Sequence, residues 1–401
     1  MESLKIAILS RGPRLYSTRR LKAAIEARGH TVKVLNPLKF GMYVEPGSPE
    51  LTYCGKALSS YDAVIPRIGN SVTFYGAAVV RQFEHMGVFC LNTSDAITAS
   101  RDKLYSMQVL SSHDVGLAPT AFVKNKKDIL RAIQAMGGAP VIIKLLSGTQ
   151  GIGVILAETN KVAEAIIETL SSAQQNVLIQ KFVSESKGRD IRAFVVGDRV
   201  VAAMRRVAAG QEFRSNVHRG GSTELVQLDA EYERTAVHAA QILNLKVAGV
   251  DMLEGKDGPV IMEVNSSPGL EGIEAATGVD IADEIVQYME QQIHFGSTDI
   301  QQRLRLTKGY SVVEFDVESN WELVGKTIAD SGLRERDIVI LRIMRGGQTI
   351  PNPKGSRELM AGDTLLCYGN QVALRSYLPT LVRKKRKKKK LVAPKEETSG
   401  E

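Results

Sequence analysis

The chain is short of the residues that staple a fold or supply a ready nucleophile. Its three cysteines, Cys54, Cys90 and Cys367, lie far apart and without CxxC spacing. That argues against a disulfide framework or a zinc site and suits a reducing cytosol. Six histidines, with no Ser-His-Asp order and no Cys-His nucleophile motif, argue against triad hydrolysis. No apolar run approaches the roughly 18 residues of a membrane span. The apolar run Ile6–Leu9 meets Ser10 and Arg11 at once, too short for a signal-peptide core. The expectation is a soluble, cytoplasmic protein without a membrane partner.

What is present is globular: 43% apolar and 24% charged residues exclude a wholly disordered or collagen-like chain. The net charge of +8 is unevenly spread. Arg383–Lys390 is an unbroken run of eight cations, and residues 383–401 carry +6, leaving about +2 for the rest. Eight like charges repel and offer no apolar face, so 381–401 is expected to be a disordered tail, either a solubilising end or a contact for ribosomal RNA.

Strand, helix and strand alternate at the start. Leu4–Leu9 reads as a buried strand, Thr18–Arg28 as a helix stopped by Gly29, and Val32–Leu35 and Ala63–Ile65 as further strands. Such units imply a parallel sheet with crossover helices. Later come the strand 140–146, a glycine loop, the strand Val154–Ala157, the helix Lys161–Leu170 and the strand Val177–Gln180. Two hairpins follow, one turning at Gly197-Asp198 and one between Val250–Glu254 and Pro259–Val264. Residues 294–308 read as a linker. Beyond it Val313, Phe315 and Val317 alternate with acids as a strand, Leu323–Ser331 reads as a helix, and Ile338–Met344 and Thr364–Tyr368 as strands of a small α+β domain.

Three constellations carry chemistry. The second hairpin sets Asp251 opposite Glu263, with Asn265 on the same face two residues on. Three oxygen donors on one patch suit Mg²⁺ or Mn²⁺; the plainer reading is two solvated acids. Lys144, near the end of a buried strand, needs an anion to offset its desolvation. The adjoining loop from Ser147 to Gly153 exposes N–H groups that phosphate oxygens accept, although it is neither a Walker A loop nor a GxGxxG fingerprint. Arg205, Arg206, Arg214, Asn216, His218 and Arg219 form either a solvated basic loop or a clamp for a γ-phosphate and a carboxylate.

Residues 1–293 resemble the RimK family of ATP-grasp ligases, which add glutamate to the C-terminus of a small-subunit ribosomal protein. The likeness rests on Ala63-Val-Ile-Pro-Arg-Ile-Gly69, Arg101-Asp-Lys103, Lys144 with Gly148-Thr-Gln-Gly-Ile-Gly-Val154, and Asp190-Ile-Arg192. It continues in Phe213-Arg-Ser-Asn-Val-His-Arg-Gly-Gly221, Ala248-Gly-Val-Asp251 and Met262-Glu-Val-Asn-Ser-Ser-Pro-Gly-Leu-Glu-Gly272. The resemblance implies a pre-ATP-grasp α/β domain over 1–100 and an ATP-grasp domain over 101–293, its lid at about 104–180. It implies that Lys103 and Lys144 hold ATP phosphates, that Gln180, Lys181 and Phe182 form the hinge over the adenine, and that Asp190, Arg214, Ser215 and Asn216 contact the nucleotide. Asp251 and Glu263 would bind one metal ion, Glu263 and Asn265 a second. Arg206 and Arg214 would neutralise charge while an acylphosphate forms and an amine displaces phosphate. The family usually carries Glu where Lys181 stands, so a carboxylate contact to the nucleotide would be lost, and Glu is expected to be tolerated there.

Residues 309–380 resemble the C-terminal ligand-binding module of potassium-uptake regulators, TrkA-C or RCK-C, through Gly325-Lys-Thr-Ile328, Leu333-Arg-Glu-Arg336 and Leu359-Met-Ala-Gly-Asp363. That implies a regulatory or oligomerising role and a homo-oligomer. Two other readings stay open: an ATP-grasp ligase for a small amino acid, peptide or cofactor, and a non-catalytic nucleotide sensor.

Overall fold

The structure, a computed structural model, describes residues 3–45, 50–113, 115–146, 153–210, 212–213, 221–294, 310–346, 348–375 and 377. The loop 147–152, residues 214–220, the linker from 295 and the tail 381–401 lie outside the described residues. The chain divides into two units, Met1–Gly296 and Ser297–Glu401.

The first unit opens with β1 (Lys5–Leu9), α1 (Tyr16–Ala27) and β2 (Thr31–Leu35). A small antiparallel sheet of β3 (Phe40–Tyr43), β4 (Glu50–Tyr53) and β5 (Lys56–Ala57) precedes β6 (Ala63–Pro66), α2 (Thr73–His85) and β7 (Phe89–Cys90). The parallel sheet has the order β2-β1-β6-β7. Every residue from Ile6 to Leu9 is fully buried, as a strand covered on both faces requires. α1 turns Leu21, Ala24 and Ile25 inward and ends before Gly29, whose φ of +82° favours glycine.

Two capped helices lead out of this module. Thr93 caps α3 (Ser94–Arg101) through Ala96 N–H, and Asp102 caps α4 (Lys103–Ser111) through the N–H groups of Leu104 and Tyr105. The motif Arg101-Asp-Lys103 is therefore a helix end, a cap and a helix start. Leu110 of α4 is packed in the core of the five-stranded sheet below.

A smaller four-stranded sheet follows, built from β8 (Thr120–Ala121), α5 (Lys126–Ala135), β9 (Val141–Leu145), β10 (Val154–Ala157), α6 (Asn160–Ser172) and β11 (Val177–Lys181), in the order β10-β9-β11-β8. Its core, from Ile129 and Ile133 to Val141, Ile143, Ile167 and Ile179, is its own.

The five-stranded antiparallel sheet contains β12 (Arg189–Val196), β13 (Arg199–Val207), β14 (Ser222–Leu225), β15 (Val247–Gly255) and β16 (Gly258–Asn265), in the order β14-β13-β12-β15-β16. α7 (Ala230–Ile242) buries Ala236, Ala239 and Ala240 in the core on one face. The other face shares a core with the first module: Phe194, Val196, Met204 and Val247 pack in one cluster with Ile6, Ile8, Leu21 and Ile65. α8 (Glu271–Thr277) and α9 (Ile281–His294) complete that cluster through Ile273, Ile281 and Met289. Arg28 of the α1 C-cap donates to Glu290 and Asp283 of α9. Asn92 ties the same halves: its Nδ2 donates to the carbonyls of Val247 and Ser266, and its Oδ1 accepts from the N–H groups of Lys246 and Val247. Both expected hairpins are present, at Gly197-Asp198 and between Gly255 and Gly258. At Gly197, φ is +65° and a Cβ would stand 2.5 Å from the Tyr288 ring, so both conformation and space call for glycine.

The second unit is an antiparallel sheet of β17 (Tyr310–Asp316), β18 (Ile338–Arg345), β19 (Gln348–Pro351) and β20 (Thr364–Asn370), followed by α10 (Gln371–Arg375). The helix expected over Leu323–Ser331 does not form; the segment is a run of turns. Its N–H groups are claimed from elsewhere: Gly325, Ile328 and Ala329 donate to the carbonyls of Leu359, Arg357 and Gly355. The buried Leu323, Ile328 and Leu333 are five residues apart, which no helix face provides. Among the described residues, no helix is long and apolar enough to cross a membrane.

Candidate active site

Strand alternation decides which side chains meet. On β12, Ile191, Ala193 and Val195 enter the core under α7, so Asp190 and Arg192 point to the opposite face with Phe194. On β13, Met204 takes that same face and Arg206 follows it. On β15, Ala248, Val250 and Met252 lie under α7, which turns Asp251 to the other side. β16 completes the set: Glu263 pairs directly with Asp251, and Asn265 lies two residues on. One end of the sheet face is thus apolar and shared with the first module, while the other carries Asp190, Arg192, Arg206, Asp251, Glu263 and Asn265.

The charges there are tightly paired. Arg206 donates from Nε and Nη2 to the two Asp190 carboxylate oxygens, both at 2.6 Å, and its Nη2 lies 3.0 Å from Asp251 Oδ2. Arg192 grips Asp251 from the adjacent strand, Nε to Oδ1 at 2.7 Å and Nη2 to Oδ2 at 2.6 Å. Asp190, Arg206 and Asp251 are all buried. Burial alone would raise the Asp251 pKa, but the Arg192 and Arg206 guanidiniums outweigh it and hold the carboxyl well below its usual range. Burial would likewise lower the Arg206 pKa, and Asp251 and Asp190 together raise it instead.

Glu263 and Asn265 differ from this network. Both are partly buried, and among the described residues neither side chain makes a hydrogen bond or ion pair. They are hard oxygen donors left open on one strand. A carboxylate offers about four acceptor sites. The arginines use three on Asp251, which leaves one on Oδ1. The donor set therefore fits a divalent cation held chiefly by Glu263 and Asn265, with one oxygen from Asp251. Among the described residues, no group of three or more His, Cys, Asp or Glu side chains is arranged as a metal site; the set here includes an amide.

The lysines belong to the smaller sheet and to α4. On β9, Val141, Ile143 and Leu145 face the sheet's own core, so Lys144 projects from the other face. Its Nζ donates to Gln180 Oε1 at 2.6 Å, and Gln180 Nε2 donates to Thr120 Oγ1 at 3.0 Å. Burial pushes the Lys144 pKa down to about 8, against the opposing field of Glu263 and with that of Lys103. Lys103 Nζ lies 3.4 Å from the Leu145 carbonyl. Lys144, Lys103, Glu263 and Asp251 thus share one electrostatic neighbourhood.

Other expected site residues fall elsewhere. Lys181 Nζ donates to the carbonyls of Gly137 and Gly138, just past α5, where a cation complements the helix dipole. Its side chain serves the end of α5. The adjoining backbone N–H groups of Lys181 and Phe182 donate to Pro119 and Pro140. Arg205 is turned to the α7 side of β13, where it meets Glu254 Oε1 at 2.8 Å, so the basic cluster is split by strand alternation. Arg214, Ser215 and Asn216 lie outside the described residues. The motifs alone assign Arg192 no role, although its place two residues after Asp190 on one strand marks it for the same face.

Comparison with known proteins follows this geometry. Residues 4–97 match the RimK PreATP-grasp domain, 100–289 the RimK-like ATP-grasp domain and 312–381 the TrkA-C domain. A protein of Rhodopirellula baltica named probable alpha-L-glutamate ligase is 61% identical over 386 residues, covering 96% of this chain and 95% of its own. A Vibrio atlanticus protein of the same name is 56% identical over 288 residues, 72% of this chain and 96% of its own. Among solved structures, a RimK domain ATP-grasp protein from Sphaerobacter thermophilus is 23% identical with a TM-score of 0.54, covering 71% of this chain and 98% of its own. The ATP-grasp ligase PsnB, complexed with a minimal precursor, reaches a TM-score of 0.58 at 20% identity, over 73% of this chain and 100% of its own. The chain belongs to the RimK-like ATP-grasp family, and it is an ATP-dependent ligase that carries a TrkA-C domain after its ligase body.

Proposed function

We propose that the protein joins glutamate to a carboxylate of a protein acceptor, the C-terminus of a ribosomal protein, in the cytoplasm. The acceptor carboxylate attacks the γ-phosphorus of ATP, giving an acylphosphate and ADP. The glutamate amine then attacks the acyl carbon, phosphate leaves with the bonding electrons, and the nitrogen sheds a proton. Such transfer asks for positioning and charge neutralisation rather than a protein nucleophile.

In this reading Lys144 and Lys103 take the ATP phosphates, with Arg214, Ser215 and Asn216 beside the nucleotide and Lys181 and Phe182 offering backbone carbonyls at the adenine. Asp190 fixes Arg206, whose charge faces the reacting groups together with Arg214. Glu263 and Asn265, helped by Asp251, would hold one or two Mg²⁺ or Mn²⁺ ions, which supply charge neutralisation on phosphate oxygens when bound. Arg192 locks the Asp251 carboxylate in place. The basic tail would hold the protein near ribosomal RNA, and the TrkA-C domain would regulate the ligase or assemble it as a homo-oligomer.

The observation that carries this reading is the open pair Glu263 and Asn265, with Glu263 in the field of Lys144, a partly buried lysine whose amine bonds only the neutral Gln180 among the described residues and whose charge an incoming anion would offset. The relatives named probable alpha-L-glutamate ligase support glutamate as the amine. The test is incubation with ATP, Mg²⁺, labelled glutamate and ribosomal proteins. Label on a single protein band with matching ADP release is expected; ADP release without label on protein would overturn the acceptor.

A further inference from the structure

The first module carries charge that the reaction outlined above does not use. Its parallel sheet runs in the order β2-β1-β6-β7, so the chain leaves β1 toward one side and later returns to its other side at β6. The strand order therefore reverses between β1 and β6. In open parallel sheets the crevice beyond the carboxyl ends of the strands at such a reversal is where ligands bind. Here Arg11 stands two residues past the end of β1, and Arg67 stands directly after β6.

Arg101, the last residue of α3, reaches the same place. Its Nη2 donates to the carbonyl of Ile68 at 2.6 Å, which lays its guanidinium beside the residue that follows Arg67. Its Nε is buried without a partner. Arg67 is partly buried, and among the described residues its guanidinium makes no hydrogen bond or ion pair. Arg11 is exposed and donates to Ser71 Oγ at 3.0 Å. No described carboxylate pairs with Arg67 or Arg101. Burial, and then the charge of Arg101, push Arg67 down to about 10. Burial lowers Arg101 as well, against the field of Glu263. That field ties the crevice to the open acid of the ligase site, Glu263.

Two guanidiniums that share this strand end, partly withdrawn from water, repelling one another and without carboxylate partners, are unfavourable alone. A bound anion would remove the repulsion and take the open donors, the Arg67 guanidinium and Arg101 Nε, and a guanidinium's planar fork suits a carboxylate. We propose that Arg67 and Arg101, at the strand-order reversal of the first module, bind a carboxylate of the ligase's substrate. This rests on the ligase reading above. The carboxylate belongs either to the incoming amino acid or to the acceptor chain end, and the two sources are separable by experiment.

The test is calorimetry on the full chain saturated with Mg²⁺ and a non-hydrolysable ATP analogue. The probes are L-glutamate, a short peptide with a free C-terminal carboxylate, and the same peptide as its C-terminal amide. The proteins are the natural chain, Arg67→Gln, Arg67→Lys and Arg101→Gln. Each Gln variant is expected to weaken one carboxylate probe by about 30-fold or more, with affinity for the nucleotide analogue within about twofold. Arg67→Lys is expected to retain part of the affinity, because it keeps the charge and loses the fork. Loss for glutamate assigns the site to the amino acid; loss for the free-acid peptide, with the amide binding weakly throughout, assigns it to the acceptor.

Equal binding by all four proteins would overturn the site, as would a natural chain that binds neither carboxylate. Should Arg101→Gln unfold through loss of its bond to Ile68, Arg67→Gln decides alone. Without ligand, Arg67→Gln is expected to melt at or above the natural chain, since it relieves repulsion; a merely structural arginine would give a lower melting point and unchanged affinity. Ligase turnover, measured separately, keeps the two readings apart. Carboxylate binding that needs both arginines, without ligation, would defeat the ligase reading and leave the site standing.

Discussion

Arg192 holds Asp251 through two parallel hydrogen bonds of 2.7 and 2.6 Å, across neighbouring strands and 59 residues of sequence. Asp251 in turn shares its Oδ2 with Arg206. Asp251→Asn is expected to strip Arg192 of its carboxylate while Arg206 keeps Asp190, at about 1–3 kcal/mol of stability. Urea unfolding reads this directly. A loss below about 1 kcal/mol would show that the arginines find other partners.

Glu263→Gln should behave in the opposite way. Its carboxylate supports no described bond, so the melting temperature should move by no more than a few degrees. Ligase turnover should fall at least about a hundredfold if Glu263 holds the metal that neutralises phosphate charge. Turnover within a few fold of the natural chain would remove Glu263 from the metal site.

Lys144 gives a pH signature. Burial lowers its folded pKa to about 8, whereas a free lysine titrates near 10.4. Below pH 8 it is charged in both states, and the desolvation penalty is constant. Between about 8 and 10.4 the unfolded chain holds the extra proton, so this lysine's contribution makes stability rise with pH. ATP phosphates favour the charged form. Binding above pH 8 should therefore take up a proton, and affinity should fall by up to about tenfold per pH unit. Calorimetry in buffers of different ionisation enthalpy measures the uptake. Lys144→Met should abolish it while weakening ATP; uptake that persists in the variant would assign the proton elsewhere.

Lys181 has partners that bear on the expectation that glutamate is tolerated there. A glutamate at 181 would restore the residue usual in the family, yet the lysine amine here bonds two carbonyls at the end of α5. A carboxylate there would meet those carbonyls and the negative end of the helix, a loss of about 1 kcal/mol. Reduced melting temperature with little change in ATP affinity is the expected result; tighter ATP binding at unchanged stability would favour the family pattern.

A chain ending at Gly296 should fold and keep turnover within about tenfold. The contact division falls there, the second unit has its own core from Phe315 to Leu374, and the Vibrio atlanticus relative aligns over 96% of its length with only 72% of this chain. An insoluble or inactive truncation would make the TrkA-C domain part of the working ligase.

The hairpin around Gly255 and Gly258 is legible in the sequence and brings Asp251 near Glu263, although a bulge rather than the turn's register pairs them: Gly255 opposite Gly258 alone would set Asp251 against Met262. The clamp on Asp251 is not, because β12 pairs with β15 across an intervening hairpin and helix, and one chain's pattern does not say which distant strands become neighbours. Taking Arg205 and Arg206 as one cluster overlooks that consecutive strand residues point apart. The false helix at 323–331 fails for another reason: residues 355–359 compete for its N–H groups, and local spacing carries no trace of that competitor.

Asn92 joins the first module to β15 and to the chain after β16 through four hydrogen bonds, over a core both halves fill. Those two halves are riveted into a single anvil. The smaller sheet, among the described residues, has an oily centre that is self-contained, so a swing of this part would not tear apart shared packing. A gape that admits ATP, or a bite that excludes water, would cost least there. Lys144, mounted on that jaw, would then travel toward Glu263 on the anvil, so the distance between phosphate grip and open acid would be the stroke of the machine.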